Sequence, residues 1–149
     1  MTPVPRAATA ADLPSWLDLA REVEPLFGPM PDFRTHALRA IDRGTALVAA
    51  DGRTVLGGVL LSRDDRPHHI TWLAVRARSR RRGIGAALLD AILDRWPDGE
   101  ISVVTFGPGH AGGEPARRFY ARYGFTNRGP AGPGPDGTAR DRYVRPAAD

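Results

Sequence analysis

Apolar positions along the chain follow two different periods, which predict helices in some segments and strands in others. Over 12–27 and 32–41 they recur every three or four residues, as in amphipathic helices. After position 45 they form short runs rich in β-branched and aromatic residues, which predict three strands at 46–50, 55–61 and 68–75. Asp51-Gly52 separates the first two runs and is a strong hairpin signal.

The second half of the chain alternates between strand and helix patterns. We predict a helix over 83–96, a strand over 101–106, a helix over 114–123 and two weak strands around a Gly/Pro-rich turn at 129–137. With a short initial strand, the order is β-α-α-β-β-β-α-β-α-β-β. This order predicts an α/β (α+β) fold, a single domain over 1–149 with a central, mixed, mostly antiparallel sheet flanked by helices.

Composition narrows the possible functions. The chain has 149 residues and no cysteine, which excludes disulfides, cysteine nucleophiles and thiolate metal sites. All 21 basic residues are arginine, and the net charge of +4 favours an anionic ligand or nucleic acid. Neither a signal-peptide pattern nor a membrane-length apolar stretch is present, so we expect a cytoplasmic protein without a membrane partner. No spacing of His with Asp or Glu predicts a metal site.

The densest basic cluster, RRRGIG at 80–85, lies where a predicted strand gives way to a helix. The first amides of a helix have no internal partner, and the helix dipole is positive there, so this position favours an anion. Glycine lets a diphosphate approach the backbone closely. In a chain rich in Arg and Gly, however, a solvated turn that caps a helix accounts for the hexamer equally well.

Two longer segments indicate a family. The run LAVRARSRRRGIGAALL at 73–89 resembles motif A of the GNAT superfamily of N-acetyltransferases, and ARRFYARYGF at 116–125 resembles its motif B, A-x-x-F-Y-x-x-x-G-F. A Rossmann motif would need Gly in place of Arg80, and a Walker motif would need a Lys. One position departs from the family pattern: Gly113 stands where family members often have Asn.

The resemblance implies roles for specific residues. Acetyl-CoA would be the cosubstrate, with its pantetheine arm between two splayed strands. Its predicted contacts are Leu73, Ala74 and Val75 for pantetheine and the acetyl carbonyl, and Arg80, Arg81, Arg82, Gly83, Ile84, Gly85 and Ala86 for the pyrophosphate. Tyr120 would be the general acid that protonates the leaving thiolate. The alternative for Tyr120 is one more aromatic residue packed in the core.

A base must also remove a proton from the attacking amine. His69 has suitable chemistry, and strand alternation predicts one face shared by His69, Thr71, Leu73 and Val75. Adjacent His68 and His69 could instead simply begin an exposed strand.

By resemblance, 22–33 forms one wall of the acceptor site, with Glu24 and Phe27 as contacts. Glu24 could also serve as the base, or be only a solvated helix residue. Acidic residues next to apolar ones in this stretch favour a cationic, partly apolar amine.

The leading hypothesis is therefore an acetyl-CoA-dependent N-acetyltransferase. It would move an acetyl group to a primary amine of a small molecule or peptide, by direct attack in a ternary complex, as a monomer or homodimer. A second hypothesis is a non-catalytic acyl-CoA sensor of the same fold. A third is an arginine-rich nucleic-acid binder, which is disfavoured because no aromatic residues interleave the basic cluster.

Overall fold

The structure is a computed structural model that describes residues 2–147; Met1, Ala148 and Asp149, which the predicted domain also includes, lie outside the described residues. Its helices and strands follow the predicted order and confirm the predicted fold class. They are β1 (Arg6–Ala7), α1 (Leu13–Phe27), α2 (Phe33–Arg43), β2 (Ala46–Asp51), β3 (Thr54–Leu61), β4 (His68–Val75), α3 (Ile84–Arg95), β5 (Ile101–Phe106), α4 (Glu114–Arg122), β6 (Thr126–Pro133) and β7 (Ala139–Arg145).

All seven strands form one sheet in the order β1-β2-β3-β4-β5-β7-β6. Neighbouring strands are antiparallel except for β4 and β5, which are parallel and connected through α3. Helices α1 and α2 cover one face, where Trp16 is fully buried, and α3 and α4 cover the other, where Leu88 and Ile92 are fully buried. The sheet thus separates two hydrophobic cores, as expected for a layered domain.

Helix α1 includes a proline close to its C-terminal end. Pro25 lies in the last turn, and the helix ends at Phe27 because Gly28 adopts φ +90° and donates its N–H to the Glu24 carbonyl at 2.7 Å. A proline in the last turn removes one helical hydrogen bond, and the preceding turns remain intact. Within residues 2–147, no helix is both long enough and apolar enough to cross a membrane.

Strand β4 contains one residue more than the stretch of β3 that it pairs with. Trp72 lies opposite Leu60, whereas Ile70, and not Thr71, lies opposite Leu61. Thr71 is therefore the extra residue of a β-bulge. A bulge of one residue exchanges the faces to which the side chains before and after it point.

The bulge makes the predicted alternation along β4 wrong. Before it, His68 stacks on Trp96 of the α3 side, with ring centroids 4.4 Å apart. After it, Leu73 and Val75 pack against the core on that same α3 side. His69 consequently points to the opposite face, towards α1 and α2, and does not share a face with Leu73 and Val75.

Candidate active site

A cleft opens where β4 and β5 separate. The two strands pair at only three positions, the last of which joins Ile70 to Val103. Beyond that point β5 continues to pair with β7, while β4 continues to pair with β3. The bulge at Thr71 coincides with the separation, since bulges bend and twist the strand that carries them. Between the diverging strands lies a cavity of about 310 Å³.

Residues from several distant parts of the chain line this cleft. Leu73 and Val103 lie on the diverging strands, and Tyr120 is contributed by α4. The other walls are the end of α1 with Phe27, and the tip of the β6–β7 hairpin at 131–135. The splayed strands expected from the family resemblance are therefore present, with the predicted Tyr120 beside them.

Tyr120 packs in the core and also lines the cleft. Its ring packs edge-on against Phe125 and against Phe119, with both pairs of centroids 5.3 Å apart, while the residue also lines the cleft. Burial raises the pKa of Tyr120, because the phenolate would lose its hydration. The hydroxyl is therefore protonated at neutral pH and able to donate a proton or a hydrogen bond.

His69 lies in the paired part of β4, outside the set of residues that line the cleft. Its Nδ1 is 2.9 Å from Oγ of Ser102 on β5. Burial, and then the positive charge of Arg142, lower the pKa of His69, so the imidazole is neutral at pH 7. The structure thus gives His69 the protonation state of a base but does not bring it to the cleft wall.

The loop at 80–86 connects β4 to α3 and has an unusual backbone. Arg81 and Gly83 both adopt the left-handed region, at φ +67° and +78°, and α3 begins at Ile84. Within the described chain, no backbone hydrogen bond reaches an amide from 81 to 86. Arg80, Arg81 and Arg82 are exposed beside these amides. Consecutive free amides with nearby guanidinium groups form an anion-binding concavity.

The two glycines of this loop serve different purposes. A Cβ at Gly83 would meet only Oγ1 of Thr2 within 4 Å, at 3.6 Å, so its surface is open. A Cβ at Gly85 would lie 3.2 Å from Cε1 of Phe119 on α4. Gly85 therefore lets α3 approach α4, whereas Gly83 gives the loop its left-handed turn and an open backbone.

One arginine of the basic run is structural. Arg76 is buried and donates from Nε to the Val55 carbonyl at 2.6 Å and from Nη2 to the Ser15 carbonyl at 2.9 Å. Glu22 accepts a hydrogen bond from the amide of Ala77 at 2.8 Å. These contacts fix the end of β4 against β3 and α1. They also orient Glu22 towards the loop and away from the cleft.

The predicted acceptor contacts separate in the structure. Phe27 lines the cleft, together with Met30 from the connection between α1 and α2. Glu24 is exposed and lines a different cavity of about 170 Å³, beside Arg21 and Arg34. The structure therefore places Phe27 on the cleft wall and does not bring Glu24 to the same cavity.

Arg140 is a cleft residue that the sequence pattern does not reveal. Its guanidinium donates from Nη2 to the Phe27 carbonyl at 3.2 Å and from Nη1 to Oγ1 of Thr138 at 2.6 Å. It also lies 4.6 Å from the centroid of the Phe106 ring. Hydrogen bonds from Thr138, and then from Arg140, lower the pKa of Asp136. No local motif could have predicted this, since the partners of Arg140 are brought together by the fold.

The comparisons with known proteins agree with this geometry. The model of the acetyltransferase (GNAT) family matches residues 13–125. The chain belongs to the GNAT acetyltransferase family. A search of curated proteins gave no match.

Solved structures share the GNAT fold at low sequence identity. Ard1 from Thermoplasma volcanium has a TM-score of 0.78 at 21% identity, with 98% of each chain covered. PaiA N-acetyltransferase from Thermoplasma acidophilum, in complex with coenzyme A, has a TM-score of 0.74 at 16% identity, covering 95% of this chain and 97% of that one. Arabidopsis thaliana Naa50, in complex with the bisubstrate analogue CoA-Ac-MVNAL, has a TM-score of 0.73 at 18% identity. The match covers 94% of this chain and 95% of the Naa50 chain.

The departure of this GNAT chain at Gly113 has a steric cause. A Cβ at Gly113 would lie 2.8 Å from Cγ of Phe106 and 2.9 Å from Nη1 of Arg117. Arg117 is itself held by the carbonyl of Gly107, to which Nη1 donates at 2.8 Å. Asparagine therefore does not fit at position 113 while Phe106 occupies this space.

Proposed function

We propose that this GNAT chain is an N-acetyltransferase that uses acetyl-CoA and transfers the acetyl group directly to a primary amine in a ternary complex. The observation that carries the proposal is the cleft between the diverging halves of β4 and β5, with Tyr120 on its wall and a loop of free amides following β4. The coenzyme A complexes of the PaiA and Naa50 relatives support a cosubstrate of the coenzyme A type.

The coenzyme is proposed to bind mainly through backbone groups. Leu73, Ala74 and Val75 lie past the last β4–β5 pair, so their β5-facing edge lacks a strand partner within the described chain. That edge can pair with the amide groups of a pantetheine arm, as a further strand would. The amides of 81–86 and the exposed side chains of Arg80, Arg81 and Arg82 are proposed to hold the pyrophosphate.

In the proposed reaction, the amine nitrogen attacks the acetyl carbonyl and forms the new C–N bond. A backbone amide near Leu73 stabilises the negative charge that develops on the carbonyl oxygen. Collapse of the intermediate breaks the C–S bond, and Tyr120 donates its proton to the departing sulfur. A thiol ordinarily has a pKa of about 8.5 and a phenol about 10. Burial raises the pKa of the Tyr120 hydroxyl further, so the proton to be donated is in place at neutral pH.

His69 is proposed to accept the proton that the amine loses. Its lowered pKa keeps the imidazole neutral at pH 7, and the bulge turns it towards the α1 side, where the acceptor wall lies. Since His69 does not line the cleft, this proton transfer is proposed to pass through a bridging water.

The decisive experiment is a calorimetric titration with acetyl-CoA, NADH and ATP, followed by incubation with a panel of primary amines. We expect selective, micromolar binding of acetyl-CoA and release of free coenzyme A thiol that depends on the added amine. Binding without amine-dependent thiol release would favour a non-catalytic acyl-CoA sensor. No acetyl-CoA binding by a folded sample would contradict the assignment of the cleft.

A further inference from the structure

The acceptor end of the cleft contains one charged side chain among the described residues that line it, and this side chain is Arg140. The acids that favoured a cationic acceptor lie elsewhere. Glu22 binds the Ala77 amide, Glu24 lines the smaller cavity, and Asp32 precedes the first turn of α2. A second ammonium group on the acceptor would therefore meet a guanidinium and no carboxylate on the cleft wall.

Several aromatic rings lie together on the remaining wall at this end. Phe27 packs edge-on against Trp72 and Phe106, with centroids 6.0 Å and 5.8 Å apart. Met30 accepts a hydrogen bond from the Trp72 indole N–H at 3.3 Å, which satisfies the polar atom of that ring. The wall therefore presents apolar surface, which favours burial of an apolar group by the hydrophobic effect.

Aromatic rings can also attract cations, but here a cation is already present. The guanidinium of Arg140 lies 4.6 Å from the Phe106 centroid and is buried together with it. It is fixed there by its bond to the Phe27 carbonyl and by Asp136, whose Oδ1 is 3.3 Å from Nη1. Asp136 partly compensates this charge and is not among the residues that line the cleft. Arg140 thus supplies the cation–π contact that a cationic substrate would otherwise make.

We propose that the acceptor is a primary amine attached to a bulky apolar or aromatic group, with no second positive charge, and that Arg140 enforces this preference. The inference rests on the proposed acetyltransferase activity and specifies its substrate class. It replaces the cationic acceptor that the acidic residues of 22–33 had favoured.

The test compares two amines of equal length that differ at the far end. n-Hexylamine ends in a methyl group, and 1,5-diaminopentane carries an ammonium in its place. We expect n-hexylamine to show a kcat/KM at least about tenfold higher, and to bind more tightly by calorimetry in the presence of coenzyme A. Equal or better use of the diamine would overturn the proposal. Failure of both amines to bind or react would also overturn the proposal about the acceptor. If the same sample still binds acetyl-CoA and acetylates another amine, the proposed acetyltransferase function stands.

Variants assign the effect to Arg140. Arg140→Gln should reduce the preference for n-hexylamine over the diamine by about threefold or more, since it removes the repelling charge. Arg128→Gln, at an exposed position on the same hairpin, should leave the preference unchanged. A folded Arg140→Gln protein with the wild-type preference would overturn the role of Arg140. If this variant does not fold, Phe27→Ala provides a second test, because it should lower kcat/KM for n-hexylamine several-fold more than for the diamine. Equal losses for the two amines would contradict the apolar wall.

Discussion

The two ends of the cleft are built in different ways. The proposed coenzyme end is one continuous stretch, from Leu73 to Ala86, and it offers mainly backbone groups with exposed arginines beside them. The proposed acceptor end is assembled from side chains on α1, β4, β5 and β7, with Phe27 and Arg140 brought into contact across 113 positions of sequence. A site of the first kind depends on local chain geometry. A site of the second kind depends on the packing of elements that are distant in sequence.

This difference explains which charged residues can be interpreted from the sequence. The arginines at 80–82 are exposed next to free amides, as their position at a helix start predicts. Arg76, four residues earlier in the same basic run, is buried and bound to the carbonyls of Val55 and Ser15. Local charge density therefore points to the loop proposed to bind an anion, but it does not distinguish an exposed arginine from a structural one.

The largest expected effect concerns the coenzyme end. Gly83→Asp should lower the affinity for acetyl-CoA by about a hundredfold or more, because a carboxylate would project from the loop proposed to hold a pyrophosphate. Calorimetric titration measures this loss. Gly52→Asp is the matched control, since Gly52 also has a positive φ, of +59°, and open space around it, but lies in the β2–β3 turn. Intact acetyl-CoA affinity in a folded Gly83→Asp protein would mean that the loop has another role.

The next effect concerns the chemistry between the two ends. Tyr120→Phe should lower kcat by roughly tenfold to a thousandfold while leaving acetyl-CoA affinity nearly unchanged, because only the proton donor is lost. Steady-state kinetics and calorimetry on the same preparation separate the two effects. Tyr123→Phe removes a hydroxyl from the next turn, outside the cleft lining, and should change kcat much less. Wild-type turnover in Tyr120→Phe would restrict this residue to its packing role against Phe119 and Phe125.

A smaller and pH-dependent effect is expected at His69. The pKa of His69 in the folded protein lies below the ordinary value of 6.5. At pH values between the folded and the unfolded pKa, the folded protein therefore binds fewer protons than the unfolded chain. The free energy of unfolding should therefore decrease as the pH falls through this window, and this decrease should be weaker in His69→Gln.

Urea unfolding at pH 7.5, 6.5 and 5.5 measures the slope, with His36→Gln, at an exposed position on α2, as the control. If His69 is also the base, kcat/KM at pH 7 should fall several-fold in His69→Gln. A changed stability slope with unchanged kcat/KM would make His69 a structural residue only.

The smallest effect concerns the close approach of Gly113 to Phe106, which lines the cleft. Gly113→Asn, which introduces the residue common in the family, should destabilise the protein by about 1–3 kcal/mol, because its Cβ overlaps Phe106. Thermal unfolding should show a lower Tm. Gly109→Asn, in the same loop but with nothing within 4 Å of its Cβ, should leave the Tm nearly unchanged. Equal Tm values for the two variants would mean that Phe106 moves aside at little cost.

The sequence determined the element order and the sites where local chemistry is sufficient. Periodicity placed the four helices and the main strands, and the position of RRRGIG between strand and helix indicated the loop that is proposed to bind an anion. These features follow from interactions between residues near one another in sequence, such as helix periodicity, hairpin turns and free amides at a helix start.

Only the tertiary structure decided which side chains meet. The bulge at Thr71 turned His69 away from the face of Leu73, because the register of β4 is set by its pairing with β3. The packing of the β6–β7 hairpin against the end of α1 brought Arg140 to Phe27, while Glu24 was left on a different surface. Strand register and contacts between distant elements depend on the whole fold, and these contacts form the proposed acceptor end of the cleft.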